Sequence, residues 1–274
     1  MDPFATFRFY AELNQFLIPE QRQQTIPYML PARTAIKHPI ESYGVPHTEV
    51  ELLLVNGEPR SFDYILQRGD RVAVYPAFRH MSPEGAELLR PPLPRPPRFL
   101  CDVHLGQLAT YLRLLGFDAI YQNDWDDPEL AEIAAREQRV LLTRDRRLLM
   151  RSAVVYGYCL HTRDPEQQLL AVLQRYDLFG LIAEGSRCLR CNGQLVPVAK
   201  QEILDRLEPK TRRYYDDFYR CLACDQIYWR GSHYERMQAF VEGVRRVGEA
   251  NGTPPTPSTA AASSTDTSGR APEP

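Results

Sequence analysis

Arg98-Phe99-Leu100-Cys101-Asp102, a short apolar run that ends on an acid, decides how this chain is read. Helical periodicity follows it at Leu105, Leu108, Ala109, Leu112 and Leu115 and closes at Gly116. Ala119-Ile120-Tyr121 is a second short strand. Asp127-Pro128-Glu129 then opens a helix, with Asp127 as the N-cap, Pro128 at the first helical position, and Leu130, Ile133 and Ala134 on the apolar face. Val140-Leu141-Leu142 is a third strand, leading into Thr143-Arg144-Asp145 and a short helical segment through Leu149. Further strand lies between Val154 and Leu160. Asp164-Pro165-Glu166-Gln167 opens a last helix, with Asp164 as cap and Gln167 at the capping-box position. Strands alternating with helices predict an α/β domain with a parallel sheet over residues 98–187.

In such sheets ligands sit beyond the C-terminal ends of the strands. Asp102 and Asp145 follow strands, and Asp127 lies in the loop after the second one, so all three are expected at one edge of the sheet. Clustered carboxylates repel unless a cation or a proton neutralises them. Hard oxygen ligands suit Mg²⁺ or Mn²⁺, and such clusters serve phosphodiester hydrolysis. Each acid also has a plainer use. Asp127, Asp145 and Asp164 are good helix caps, and Asp124 and Asp126 solvate a loop, whereas Asp102 is the hardest to explain structurally. His104 reads as a first-turn polar residue, with phosphate contact as the alternative. Arg144, Arg146, Arg147 and Arg151 cluster beside Asp145, where they either hold a nucleic-acid backbone or form a solvated helix face.

Downstream, Cys188-x-x-Cys191 and Cys221-x-x-Cys224 are the strongest motif in the chain. Two such pairs supply four thiolates for a structural zinc, with Asn192-Gly193 turning the first knuckle. Redox use is the alternative, but neither pair opens a βαβ redox unit. His233 would be a substitute ligand only if the four thiolates did not complete the site. Cys101 and Cys159 lack such pairing and read as buried. Residues 188–248 form the only segment with more basic than acidic side chains. Lys210, Arg212 and Arg213, with Tyr214, Tyr215, Tyr219, Tyr228, Trp229 and Arg230, suit nucleic-acid binding, or else the aromatics pack the ribbon against the last helix. That helix carries Tyr234, Met237, Phe240, Val241, Val244 and Val247 on its apolar face.

Upstream, residues 1–79 read as strand, strand, short helix, strand, turn, strand. The signals are Thr6 to Tyr10, Ala35 to Gly44, Leu52 to Val55 with Asn56-Gly57, and Arg71 to Tyr75. This small α+β roll resembles the ubiquitin-like β-grasp domains related to sulfur carriers. Those carriers act through a terminal Gly-Gly, whereas here the last strand runs on into Pro76-Ala77-Phe78-Arg79. A binding or docking role, with a possible protein partner, is therefore expected rather than sulfur transfer. Residues 80–97 are proline-rich and read as a semi-rigid spacer. Residues 249–274 are poor in apolar bulk and read as disordered.

The 274 residues suit about two domains plus a small module. Lys and Arg number 33 against 35 Asp and Glu, so no strong net charge announces a membrane or nucleic-acid partner. No window reaches the roughly 18 unbroken apolar residues of a membrane span. Residues 1–10 lack a basic segment followed by an apolar run, so a cytoplasmic, reducing location is expected.

The stretches Phe99 to Gly106, Leu112 to Asp118 and Leu141 to Asp145, with the cysteine module, resemble the Mut-seven C-terminal RNase-domain family. The resemblance implies a PIN-like, metal-dependent ribonuclease acting on RNA, commonly preceded by a β-grasp unit. Its acids map onto Asp102, Asp127 (with Asp126 adjacent) and Asp145, and Asp164 is the nearby option for a fourth. The alternative is a non-catalytic adaptor that binds RNA or protein through the zinc ribbon and β-grasp unit.

Overall fold

The computed structural model describes residues 4–30, 33–77 and 89–250. The first half of the expected spacer, the segment 80–88, and the expected tail from residue 251 onward lie outside the described residues, as does the side chain of His233.

The N-terminal unit comprises β1 (Phe4–Phe9), β2 (Thr25–Met29), α1 (Lys37–Ser42), β3 (Val50–Val55), β4 (Glu58–Pro59) and β5 (Arg71–Pro76). Its sheet runs β2-β1-β5-β3-β4, with β1 and β5 parallel at the centre and the outer pairs antiparallel. Asn56 and Gly57 make the β3–β4 turn with φ of 54° and 92°, the left-handed pair a tight two-residue hairpin requires. The arrangement is the expected ubiquitin-like β-grasp.

The second unit follows the predicted alternation. It contains β6 (Phe99–Cys101), α2 (Gly106–Leu114), β7 (Ala119–Tyr121), α3 (Asp127–Glu137), β8 (Val140–Thr143), α4 (Arg146–Leu149), β9 (Gly157–Cys159) and α5 (Pro165–Tyr176). The sheet is wholly parallel, in the order β7-β6-β8-β9. Two helix starts differ from the reading above. Asp126, not Asp127, caps α3: its side chain accepts from the Glu129 backbone N–H at 2.9 Å, and Glu129 accepts from the Asp126 N–H at 3.0 Å. This reciprocal box satisfies two otherwise orphaned donors, which Asp127 in the first turn cannot do. At α5 Asp164 is the cap, but the return contact comes from the Thr162 hydroxyl oxygen, which accepts from the Asp164 N–H at 3.1 Å, rather than from Gln167.

The C-terminal unit has β10 (Leu195–Val198), α6 (Pro209–Tyr214), β11 (Phe218–Cys221), β12 (Ile227–Trp229) and α7 (Ser232–Ala250). The strands form an antiparallel sheet, β10-β11-β12. Instead of covering the ribbon alone, α7 lays Val241 and Val244 into the core beside α2 and α5. No helix among the described residues is long and apolar enough to cross a membrane.

The parallel sheet is apolar on both faces, as its unbroken strand runs require. One face packs under α2, α5 and α7. The other shares one continuous core with the β-grasp unit: Leu100, Leu141, Leu148 and Val154 join Phe7, Phe9, Ile40 and Val45, together with Leu130 and Ala134 of α3. The β-grasp unit is therefore part of the wall of the α/β unit. Arg90 pins the end of the joint, donating to Thr48 O at 2.6 Å and to Glu51 at 3.1 Å. His47 bonds Val154 O at 2.9 Å, and Arg146 donates to Phe16 O at 2.9 Å.

A buried ion pair crosses the same seam. Arg175 of α5 meets Glu49 at 3.3 Å and Glu12 at 3.2 Å, and the Glu49 carboxylate accepts from the Cys159 N–H at 2.6 Å. The Glu49 and Arg175 side chains are 2% and 6% exposed. Burial pushes the Glu49 carboxyl up, and Arg175, the Cys159 N–H and Arg90 oppose it. Removing one partner leaves an uncompensated buried charge, so Arg175→Met is expected to cost about 3–5 kcal/mol in urea unfolding. Adding Glu49→Gln, which keeps the acceptor for Cys159 but removes the charge, should recover part of that loss. A loss under about 1 kcal/mol, or no recovery in the double variant, would contradict this account.

Candidate active site and metal centre

The α/β sheet changes direction at β6. The chain passes through α2 to β7 on one side, then through α3 to β8 on the other. Ligands of doubly wound sheets bind at such a switch point, and Asp102 and Asp145 follow the two strands that flank it.

A single hydroxyl ties these two acids together. Thr143, the last residue of β8, is fully buried. Its Oγ1 accepts from the Asp145 N–H at 2.9 Å and donates to Asp102 Oδ2 at 2.6 Å. The hydroxyl has one proton to give, so Asp102 Oδ2 is fixed as an acceptor. Asp102 is 7% exposed and Asp145 is exposed. Asp145 Oδ1 accepts from the Arg147 N–H at 2.7 Å, capping α4 as expected. Among the described residues no protein group donates to Asp102 Oδ1 or Asp145 Oδ2, which leaves one oxygen of each acid for a ligand. Sequence reading passed over Thr143. The available signal was a hydroxyl in an otherwise apolar buried strand, where an unpaired hydroxyl would be costly.

The remaining candidates are more dispersed. Asp127 is exposed in the first turn of α3, beyond β7, and makes no hydrogen bond to the other two acids. Asp164 is occupied as a cap by the Glu166 and Gln167 N–H groups. Among the described residues the three aspartates do not gather into a preformed metal cage; the four cysteines alone do so. His104, Arg144, Arg147 and Arg151 are exposed near the acidic edge, whereas Arg146 is committed to Phe16, its guanidinium 5.0 Å from the ring. On α6, Lys210 and Arg213 are exposed, and Arg212 donates to Leu204 O.

Cys188, Cys191, Cys221 and Cys224 bring their sulfurs within 4.8 Å of one another. The Cys188–Cys224 and Cys191–Cys221 sulfurs are 3.6 and 3.4 Å apart. Tetrahedral zinc with Zn–S of about 2.3 Å calls for about 3.8 Å, so the four thiolates fit a closed structural site. The two knuckles are built alike. Asn192 and Asp225 take φ of 70° and 61° just after Cys191 and Cys224, and their N–H groups bond the carbonyls of Cys188 and Cys221. A Cβ on Gly193 would meet the Cys221 sulfur at 2.7 Å, so only glycine fits there. Burial alone would raise Cys221, but the Cys224 and Ala223 N–H groups draw it down to about 7. Cys101 and Cys159 are buried as expected, and burial pushes both thiols up to about 12.

The ribbon is fastened to the α/β sheet by Arg113 and Asp118 and by Asn192, which the sequence reading took only as a turn residue. Arg113 of α2 donates to Leu189 O at 3.0 Å, Arg190 O at 3.1 Å and Ala119 O at 2.7 Å. Asn192 accepts from the Ala119 N–H at 3.0 Å and donates to Asp118 at 2.8 Å. Burial would raise the Asp118 carboxyl, but Arg139 at 2.6 Å, with Asn192 and Arg187, holds it below the ordinary carboxylate range. A carboxylate depressed in the folded state stabilises above its unfolded value, near 3.9, and that stabilisation is lost as pH falls through the folded value. Asp118→Asn is therefore expected to cost about 3 kcal/mol at pH 7, with the gap to wild type closing below about pH 4. Thiolate protonation affects both proteins alike, so the difference in their urea midpoints is the quantity to read. A gap that does not change with pH would contradict the assignment.

Fold and site together define a parallel α/β unit with Asp102 and Asp145 at its switch point, walled by a ubiquitin-like β-grasp and carrying a four-cysteine ribbon. Two family models match, the Mut7-C RNAse domain over residues 97–241 and the Mut7-C ubiquitin domain over residues 2–82. The chain belongs to the Mut7-C RNAse domain family. It is 37% identical over 101 residues to the human protein named Exonuclease mut-7 homolog, a match that covers 35% of this chain and 12% of that protein. No solved structure matches.

Proposed function

We propose that the chain is a metal-dependent ribonuclease that hydrolyses RNA phosphodiester bonds at the Asp102–Asp145 edge. The observation that carries this reading is the Thr143 clasp, which holds two acids at the switch point with one free oxygen each. Membership of an RNase-domain family supports it. Bound Mg²⁺ or Mn²⁺ would supply an activated water and stabilise the leaving oxygen. The residues of the chain do the rest. Asp102 presents Oδ1 from the buried end of β6, Asp145 presents Oδ2 from the cap of α4, and Asp127 completes the set from the first turn of α3. Arg144 and Arg147, exposed beside Asp145, hold the RNA backbone, and Lys210, Arg212 and Arg213 extend the contact on the ribbon. The compartment is the cytoplasm, where thiols stay reduced and free to hold zinc.

The test is cleavage of single-stranded RNA by zinc-loaded wild type and Asp145→Asn in Mg²⁺ or Mn²⁺. Equal cleavage by both would overturn the acidic edge as the active site. The dispersal of Asp127 favours one second reading, a non-catalytic adaptor whose ribbon and β-grasp unit hold RNA or protein. That reading expects wild type to retain RNA without cutting it.

A further inference from the structure

A groove of 220 Å³ lies where the ribbon meets α2 and α7, and the acidic edge makes no use of it. Leu114, at the C-terminal end of α2, lines it. The N-terminal end of α2 follows Asp102 closely, so the nine residues of the helix separate the two places by roughly 14 Å.

Four aromatic side chains converge on the groove from three elements: Tyr219 of β11, Tyr228 and Trp229 of β12, and Tyr234 of α7. Tyr228 is held by its hydroxyl, 3.1 Å from the Cys188 sulfur, so the groove is built onto the metal site. Trp229 is 39% exposed, one of the few large hydrophobic side chains left in water. Its ring rests on Gly231, where a Cβ would meet Nε1 at 2.9 Å. Arg187, Arg230 and Glu184 are the charged residues that line the groove. Arg187 is committed to Asp118 at 3.6 Å and to Asn192 O at 3.1 Å, which leaves Arg230 as the free cation of the rim among the described residues. Arg230 is exposed, sits 5.5 Å from the Tyr234 ring centre, and has no carboxylate within ion-pair distance among the described residues.

This chemistry selects a ligand class. An exposed indole beside half-buried tyrosines, with an unpaired guanidinium, suits a planar base carrying a phosphate. A cationic ligand would meet the unpaired Arg230 guanidinium, so the aromatic group is not a cage for an alkylammonium. The volume falls below the roughly 300–1,000 Å³ of drug-sized ligand pockets, which is the scale of one ring system and not of an extended ligand. We propose that the groove is a nucleobase-stacking site that takes one unpaired base of a single-stranded RNA, apart from the scissile phosphate. The assignment of RNA rests on the ribonuclease reading above.

The experiment uses the 274-residue, zinc-loaded chain carrying Asp145→Asn, so that RNA is bound and not cut, and Trp125→Phe. The chain has two tryptophans, so Trp229 then reports alone. Oligouridylate is expected to quench its fluorescence saturably, whereas an abasic RNA of the same length should not. Trp229→Ala should weaken oligouridylate binding about 5- to 150-fold, from roughly 1–3 kcal/mol per stacked base. Trp229→Phe should restore part of it, and Arg230→Ala should weaken binding with Trp229 in place. If Trp229→Ala loses zinc, the Trp229→Phe and Arg230→Ala variants carry the test. Equal quenching by abasic RNA, or unchanged affinity in these variants, would overturn the stacking site. Cleavage by the wild type, measured separately, distinguishes the two readings. Intact cleavage without quenching removes only the groove; quenching without cleavage by wild type removes the nuclease and leaves the groove standing.

Discussion

Asp145→Asn is expected to lower RNA cleavage about a hundred- to ten-thousand-fold while leaving the fold intact. The substitution removes one negative charge and almost no volume. Asn is as good a helix cap as Asp, so the Arg147 N–H that Asp145 Oδ1 accepts at 2.7 Å keeps its partner and α4 stays capped. The Asp145 backbone N–H still donates to Thr143, so the clasp to Asp102 survives. What is lost is a hard anionic ligand facing the cation, and metal stabilisation of a phosphoryl transition state is worth several kcal/mol. At about 1.4 kcal/mol per tenfold, that gives the stated range. Circular dichroism, zinc content and urea midpoint should match wild type, which makes the rate the single altered quantity. Thr143→Val provides the contrast: it leaves both acids charged but strips the Asp145 N–H and Asp102 Oδ2 of their shared partner, costing roughly 1–3 kcal/mol of stability for each unpaired group. A cleavage rate within threefold of wild type in folded Asp145→Asn would move the chemistry away from this edge.

The strands and helices of the α/β unit were legible because each is short, apolar and punctuated. Phe99 to Cys101 and Val140 to Leu142 read as buried strands, and they are completely buried. The cysteine ligands were legible because their spacing is itself the geometry of a knuckle. The cap of α3 was misplaced by one residue, although Glu129 stands three positions after Asp126 and selects it; the Asp127-Pro128 pair offered a competing start. Pairings between distant parts of the chain left no local mark. Glu49 and Arg175 are 126 positions apart, and Asn192 and Asp118 are 74 apart. Periodicity shows that the strands of the α/β sheet are buried on both faces, but not that one face is buried against a β-grasp unit. The role of Thr143 was hidden for a related reason. A threonine at a strand end satisfies β propensity by itself, and only the packing of β6 beside β8 gives its hydroxyl two acids to join.

Cys221→Ser is expected to do more than release one metal ion. Three thiolates and a neutral hydroxyl make a poor zinc site, so zinc should fall from one per chain to a small fraction of that. Apparent binding free energies of structural zinc in isolated fingers run to about 10–16 kcal/mol at pH 7, and where no site preforms, that binding energy is folding energy. The ribbon has a core of only five fully packed residues around Ile203 and Phe218, too few to hold three short strands by burial alone. Loss of the metal should therefore melt the knuckle that carries Leu189, Arg190 and Asn192. Arg113, which is 5% exposed, would lose two of its three carbonyl acceptors, and Asp118 would lose the Asn192 amide. An uncompensated buried guanidinium costs about 3 kcal/mol or more, which at roughly 2–4 °C per kcal/mol lowers the melting temperature of the whole chain by about 6–12 °C. Calorimetry beside zinc analysis reads both effects. The substitution is a cleaner probe than a chelator, because a chelator would also take up the Mg²⁺ or Mn²⁺ proposed for the acidic edge. A variant that loses zinc yet melts with the wild type would show that the ribbon is carried by the α/β unit without bracing it, and would remove the Arg113 and Asn192 contacts from the account of its stability.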